Sequence, residues 1–135
     1  MLEELEVLAG TIDISALNTP PEEKELKTAR FFSEQGKNIT FIPPSNIPGH
    51  RRPDFMMDGL EWEVKCPEGS SKRTIERCIV SAEGQSPYII LDLRYVKLSE
   101  KFCLSQIEIN FNTRSRVKRI LVITKTLHLI EFPPK

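Results

Sequence analysis

The sequence predicts an α/β (α+β) domain with an N-terminal helix, a central mixed or antiparallel sheet bearing an Asp-Gly hairpin, and flanking helices. Three observations lead there. The nearly continuous apolar run YIILDL at 88–93 has the pattern of a strand covered on both faces. Helical periodicity in 21–36 and again in 72–85 alternates with short strand-like runs. Asp58-Gly59 lies between two apolar runs, the strongest short-range signal for a two-residue hairpin. A chain of 135 residues buries one core and no more. Its 39% hydrophobic and 28% charged content excludes a disordered or collagen-like protein.

Residues 1–21 read as an N-terminal arm or linker, with Leu2, Leu5 and Leu8 at roughly helical spacing and a turn at Asn18-Thr19-Pro20-Pro21. Residues 22–135 form the single domain. From Pro21 a helix begins with acids in its first turn, places Leu26, Ala29 and Phe32 on one face, and stops at Gly36. Residues 39–42 alternate as a short strand, and the proline-rich stretch 43–53 must be a loop with a basic tip at His50, Arg51 and Arg52. After the hairpin, a helix with Ile75, Ile79 and Ala82 on one face follows, and Ser70 or Ser71 is placed to cap it. The run at 88–93 is the central strand. Residues 102–114 fit a helix through Leu104, Ile107 and Phe111, or a strand through Ile107, Ile109 and Phe111. Two last strands follow, with a turn at 124–126.

Net charge is zero, but residues 1–35 hold eight acidic and three basic side chains, leaving −5 there and +5 on the remainder. An anionic partner therefore meets the second part, and a histone-like coating protein is excluded. Cys66, Cys78 and Cys103 are odd in number and widely spaced, which favours reduced thiols over a disulfide framework or a zinc knuckle. No apolar run reaches the 18 or so residues of a membrane span, and MLEELEVLAG is acidic where a signal peptide is basic. Action in the cytoplasm, away from membranes, is the expectation.

Counting outward from Asp58-Gly59 pairs Phe55 with Trp62 and Asp54 with Glu63. Phe55, Met57, Leu60, Trp62 and Val64 then share an apolar face, and Trp62 and the neighbouring methionines, Met56 and Met57, read as core residues. Asp54, Met56, Glu61, Glu63 and Lys65 share the other. Opposed carboxylates about 5 Å apart can chelate a divalent cation or share a proton, and Lys65 can neutralise them or orient a water. The plain alternative is a solvated hairpin face. Against it stand the cations on both sides in sequence: His50, Arg51 and Arg52 before, Lys72, Arg73 and Arg77 after. Acid at the centre with base at the rim suits phosphodiester cleavage.

Pro53-Asp54 followed by Glu63-Val64-Lys65 after a hairpin resembles the PD-(D/E)xK nuclease core over residues 22–93. That resemblance implies Mg²⁺ on Asp54 and Glu63, a Lys65 that assists the attacking water, and an extra acid from the preceding helix, for which Glu25 is the candidate. A longer stretch, from ARFFSEQGKNITFIP through PDFMMDGLEWEVKCP and TIERCIVSAEGQSPYIILDL to VKRILVITKTLHLIEFPP, is similar to the C-terminal toxin domains of contact-dependent growth inhibition systems, the barnase, EndoU, colicin and RelE-like RNases. It implies RNA cleavage, often of tRNA, without a metal cofactor, delivery from a larger carrier protein, and a cognate immunity protein that is acidic where it covers the basic rim. Under that reading His50, Lys65, Arg73 and Thr74 carry the chemistry, and Asp54 or Glu63 orient them. RNA is thus favoured over DNA, and both nucleases stand beside a noncatalytic binding module on the same fold.

Other residues carry weaker signals. His128 alternates with Ile130 and Phe132 and reads as a packed strand residue. Cys66 has no histidine placed to activate it. Asp92, charged inside an apolar strand, requires a partner or a position at the strand's exit. Gln85 reads as the end of a helix, and the charges at 116–119 as the solvated start of a strand.

Overall fold

The computed structural model describes residues 9–135. Among these, seven strands form one sheet in the order of the chain: β1 (Ile12–Asp13), β2 (Ile39–Phe41), β3 (Phe55–Met57), β4 (Leu60–Lys65), β5 (Tyr88–Asp92), β6 (Arg119–Ile123) and β7 (Leu129–Phe132). Three helices accompany it: α1 (Glu23–Ser33), α2 (Thr74–Glu83) and α3 (Glu100–Thr113). The sheet is mixed. β4, β5 and β6 run parallel, joined through α2 and α3, and the pairs β2–β3, β3–β4 and β6–β7 are antiparallel. The expected α/β architecture is therefore the one observed.

Alternation along the central strands divides the core between two faces. Ile89, Leu91, Ile120 and Val122 pack with Ile75 and Ile79 of α2 and Cys103 and Ile107 of α3. Ile90, Leu121 and Ile123 join Trp62, Val64 and Phe55 beneath Ala29 and Phe32 of α1. β5 is covered on both sides, as its unbroken apolar run requires.

The hairpin has the expected register, Met57 to Leu60, Met56 to Glu61 and Phe55 to Trp62. Asp58 and Gly59 both take positive φ, 54° and 75°, the left-handed pair that a type I′ turn needs. The Trp62 indole N–H donates to the Met57 carbonyl at 3.0 Å, so the buried ring keeps its hydrogen bond.

Of the two readings left open for 102–114 the helix is the one observed, as Glu100–Thr113: Cys103, Ile107 and Asn110 are buried at helical spacing, whereas Ile109 is exposed, and the Ser99 hydroxyl caps the start by accepting from Phe102 N. Several local expectations are corrected. Met56 is exposed and not part of the core. Neither Ser70 nor Ser71 caps α2. The Ser71 hydroxyl accepts from Arg73 N, shaping the turn before a helix that starts at Thr74. His128 is exposed and lies in the turn, because its amide bonds to the Thr124 hydroxyl and its carbonyl to the Thr124 amide, so β7 begins one residue later. Part of the stretch read as an arm belongs to the sheet: Ile12–Asp13 pairs in parallel with Ile39 and Thr40. Gly10 admits this approach, since a Cβ there would meet the Lys37 carbonyl oxygen at 1.8 Å. The periodicity of Leu2, Leu5 and Leu8 falls outside the described residues.

The burial of α3 generates a discriminating prediction. Ile107→Ala should cost about 2–5 kcal/mol of folding stability and Ile109→Ala less than about 0.5 kcal/mol in urea unfolding. Equal effects would contradict a helix at this position.

Candidate active site

β4 changes partners halfway along its length. Leu60, Glu61 and Trp62 pair with β3, and Glu63, Val64 and Lys65 pair with Ile89, Ile90 and Leu91 of β5. Beyond Trp62 the edge of β4 that faced β3 is vacated, and Asp54 fills the opening. Its amide donates to the Trp62 carbonyl at 2.9 Å and its carboxylate accepts from Val64 N at 2.7 Å, so Asp54 brackets Glu63 from both sides. The opposition of Asp54 and Glu63 expected from the hairpin is thereby achieved with a side chain standing in for the next backbone bond.

Glu63 lies on the face of Ile89 and Leu91, and α1 covers the opposite face. Asp54 sits at the edge between them and meets Glu63 from one side and Glu25 of α1 from the other. Burial, followed by repulsion from Asp54, pushes the carboxyl groups of both Glu25 and Glu63 up to about 8. Glu63 is only 4% exposed, and its Oε1 has no hydrogen-bond partner among the described residues. Its Oε2 lies 3.5 Å from the Lys65 ammonium, which partly offsets the repulsion.

These groups floor a cleft of about 1180 Å³. His50, Arg51 and Arg52 line it, as the basic loop predicted, and Gln85 reaches it from the end of α2. From the sequence Gln85 reads more readily as a helix terminus than as a group that hydrogen-bonds a substrate, because its approach to the cleft depends on how α2 leads into β5. Lys24 also lines the cleft, bonded to Glu68 and 4.6 Å from the centre of the Tyr95 ring. Lys72, Arg73, Thr74 and Arg77 are absent from the lining, and Arg73 is paired with Glu76 at 2.9 Å. Asp92 is fully buried at the exit of β5, with Arg94 and Thr28 as partners. Burial pushes the Cys66 thiol up to about 12, which removes it as a nucleophile at neutral pH.

The donor set fits a hard divalent cation. No group of three His, Cys, Asp or Glu side chains among the described residues is spaced to hold a metal ion alone. Mg²⁺ does not require one: it is commonly held by one or two carboxylates, with water and substrate phosphate completing its shell. Asp54 and the Glu63 oxygen without a partner among the described residues could supply that pair. Among the described residues no helix is long and apolar enough to cross a membrane.

A mixed α/β sheet that gathers carboxylates and a lysine where one strand changes partners defines a small domain with an acid-floored, base-rimmed cleft. The chain belongs to the contact-dependent growth inhibition CdiA C-terminal domain family, whose profile matches residues 51–127. Among solved structures it is similar to the CdiA-CT/CdiI toxin and immunity complex from Burkholderia pseudomallei, at 19% identity and a TM-score of 0.67 over 91% of this chain and 98% of that one. At that identity the likeness establishes a shared fold. No curated protein matches the sequence.

The crowded carboxyls set a pH dependence. The folded chain holds protons on Glu25 and Glu63 up to about 8, whereas the unfolded chain releases them near 4.5. Their contribution to stability is therefore fully present below about 4.5 and is lost as pH rises through about 8. Thermal melts at about pH 5 and about pH 9 should show a smaller pH-dependent loss in Glu63→Gln than in the unaltered protein, and added Mg²⁺ should recover stability only at the higher pH. Equal pH dependence in both proteins would contradict this electrostatic picture.

Proposed function

We propose that this domain is the toxic effector of a contact-dependent growth inhibition system and acts as a divalent-cation-assisted nuclease. RNA, and tRNA foremost, is the substrate that the family resemblance favours. The observation that carries the reading is the convergence of Glu25, Asp54, Glu63 and Lys65 on one cleft floor beneath His50, Arg51 and Arg52. When bound by Asp54 and Glu63, Mg²⁺ supplies a Lewis acid for a phosphate oxygen and lowers the pKa of a bound water.

The chain's own groups do the remainder. Lys65 places a positive charge where negative charge builds on the phosphoryl oxygens. Glu25, protonated near neutral pH beside Asp54, can exchange a proton with a water or a leaving oxygen. Arg51 and Arg52 on the rim hold flanking phosphates without reading bases. The same basic rim suits a cognate immunity protein with an acidic covering surface, and action follows delivery from a larger carrier into the target cell's cytoplasm.

One observation favours a second reading, metal-free RNA cleavage by the 2′-hydroxyl. Glu25 and Glu63 both titrate near 8 and can serve as base and acid without a cation.

Incubation with total tRNA and with plasmid DNA, each with Mg²⁺ and with EDTA, tests the proposal. Discrete tRNA fragments that need Mg²⁺ are expected, with a rate loss of roughly 100-fold or more in Asp54→Asn and in Lys65→Ala. Fragments that persist in EDTA would establish the metal-free reading. Cleavage of DNA alone would overturn RNA as substrate. No cleavage of either by folded protein would leave a noncatalytic binding module.

A further inference from the structure

Glu25 reaches the cleft from a helix that belongs to the other side of the sheet, so something must fix how α1 sits. The apolar contacts of α1, through Ala29, Phe31 and Phe32, are non-directional. Its one fully buried polar contact with the sheet is directional: the Thr28 hydroxyl donates to Asp92 Oδ2 at 2.7 Å, with both residues fully buried. Arg94 clamps the same carboxylate, its Nε donating to Oδ1 at 2.9 Å and its Nη2 to Oδ2 at 2.7 Å. The backbone amide of Arg94 adds a bond to Oδ1 at 3.2 Å. On its other side Thr28 Oγ1 lies 3.7 Å from Cys66 Sγ, the residue after Lys65.

Thr28 and Glu25 are three residues apart and share one face of α1. The knot therefore joins the helix that carries Glu25, the end of β4 next to Lys65, and the end of β5. A buried ion pair rarely outperforms an apolar replacement in stability, so a fully buried Asp92 at this junction calls for a positional role.

We propose that the Thr28–Asp92–Arg94 tie is a positioning device for the active site, which sets the roll of α1 and so holds the Glu25 carboxyl against Asp54. The inference rests on the reading of Glu25 as a member of the catalytic cluster. Thr28 and Asp92 touch no substrate and act through Glu25.

Thr28→Val removes the hydroxyl at nearly constant shape, and Thr28→Ser restores it. With Mn²⁺ as the probe, followed by electron paramagnetic resonance, Thr28→Val should weaken binding about 10-fold or more, as loss of an outer-sphere partner typically does. Thr28→Ser should return to the unaltered affinity. In the Glu25→Gln background, Thr28→Val should cause no further loss, because the tie then has nothing to position. Crystal structures of Thr28→Val and the unaltered protein should show a wider separation of the Glu25 and Asp54 carboxyls in the variant. An unchanged separation overturns the proposal, whatever the melting temperature of the variant. Additive losses of Thr28→Val and Glu25→Gln would do the same. Absence of Mn²⁺ binding by the unaltered protein would instead defeat the metal-assisted reading, and the carboxyl separation would still decide the tie.

Discussion

The hydrogen bond from Val64 N to the Asp54 carboxylate is the constraint on which the site depends. An antiparallel pair that continued past Trp62 would offer a backbone acceptor along this edge of β4. β3 instead ends, and β4 takes β5 as its partner from Glu63 onward. A carboxylate now occupies the place of a backbone carbonyl. It satisfies a buried donor and at the same time brings negative charge to the rim of the core. The parallel ladder with β5 fixes the backbone of Glu63 in the next position beside it. Structural necessity and chemical potential thus meet in one side chain, because Asp54 closes the ladder and charges the cleft.

That arrangement is costly to the fold. Two glutamates press on one aspartate in a partly buried setting, and among the described residues the Lys65 ammonium offsets the repulsion on Glu63. The rest of the molecule is built conventionally, with two apolar faces, a doubly covered central strand and a side-chain cap at the start of α3. Strain concentrated in a cleft while the surroundings are well packed is the distribution expected where a site is maintained for its chemistry.

How much was legible in the sequence follows from the range of the interactions. The pairing of Asp54 with Glu63 was readable because Asp58-Gly59 fixes the turn type, and the turn fixes the register. The basic loop at 50–52 was readable as a rim because its prolines forbid a strand and its charges directly precede the hairpin. The place of Glu25 was not fixed by any local signal. It depends on how α1 docks across the sheet, through Thr28 and Asp92, residues 64 positions apart in the chain. Lys72, Arg73 and Arg77 illustrate the opposite failure. Proximity in sequence suggested a second rim, but the turn at Ser71 aims the helix so that these residues do not line the cleft, and Arg73 is taken by Glu76 one turn on. The helix at 100–113 was ambiguous because Ile107 and Phe111 belong to both a helical and an alternating pattern, and the exposure of Ile109 with the burial of Cys103 and Asn110 separates them.

The central claim is that β4's change of partner assembles a two-carboxylate site for a divalent cation. Anomalous diffraction from crystals soaked in Mn²⁺ tests it most directly. The account predicts an anomalous peak within coordination distance, about 2.0–2.2 Å, of both an Asp54 oxygen and Glu63 Oε1, abolished in Glu63→Gln. A peak elsewhere in the cleft, or none in crystals of protein that cleaves nucleic acid, would contradict it.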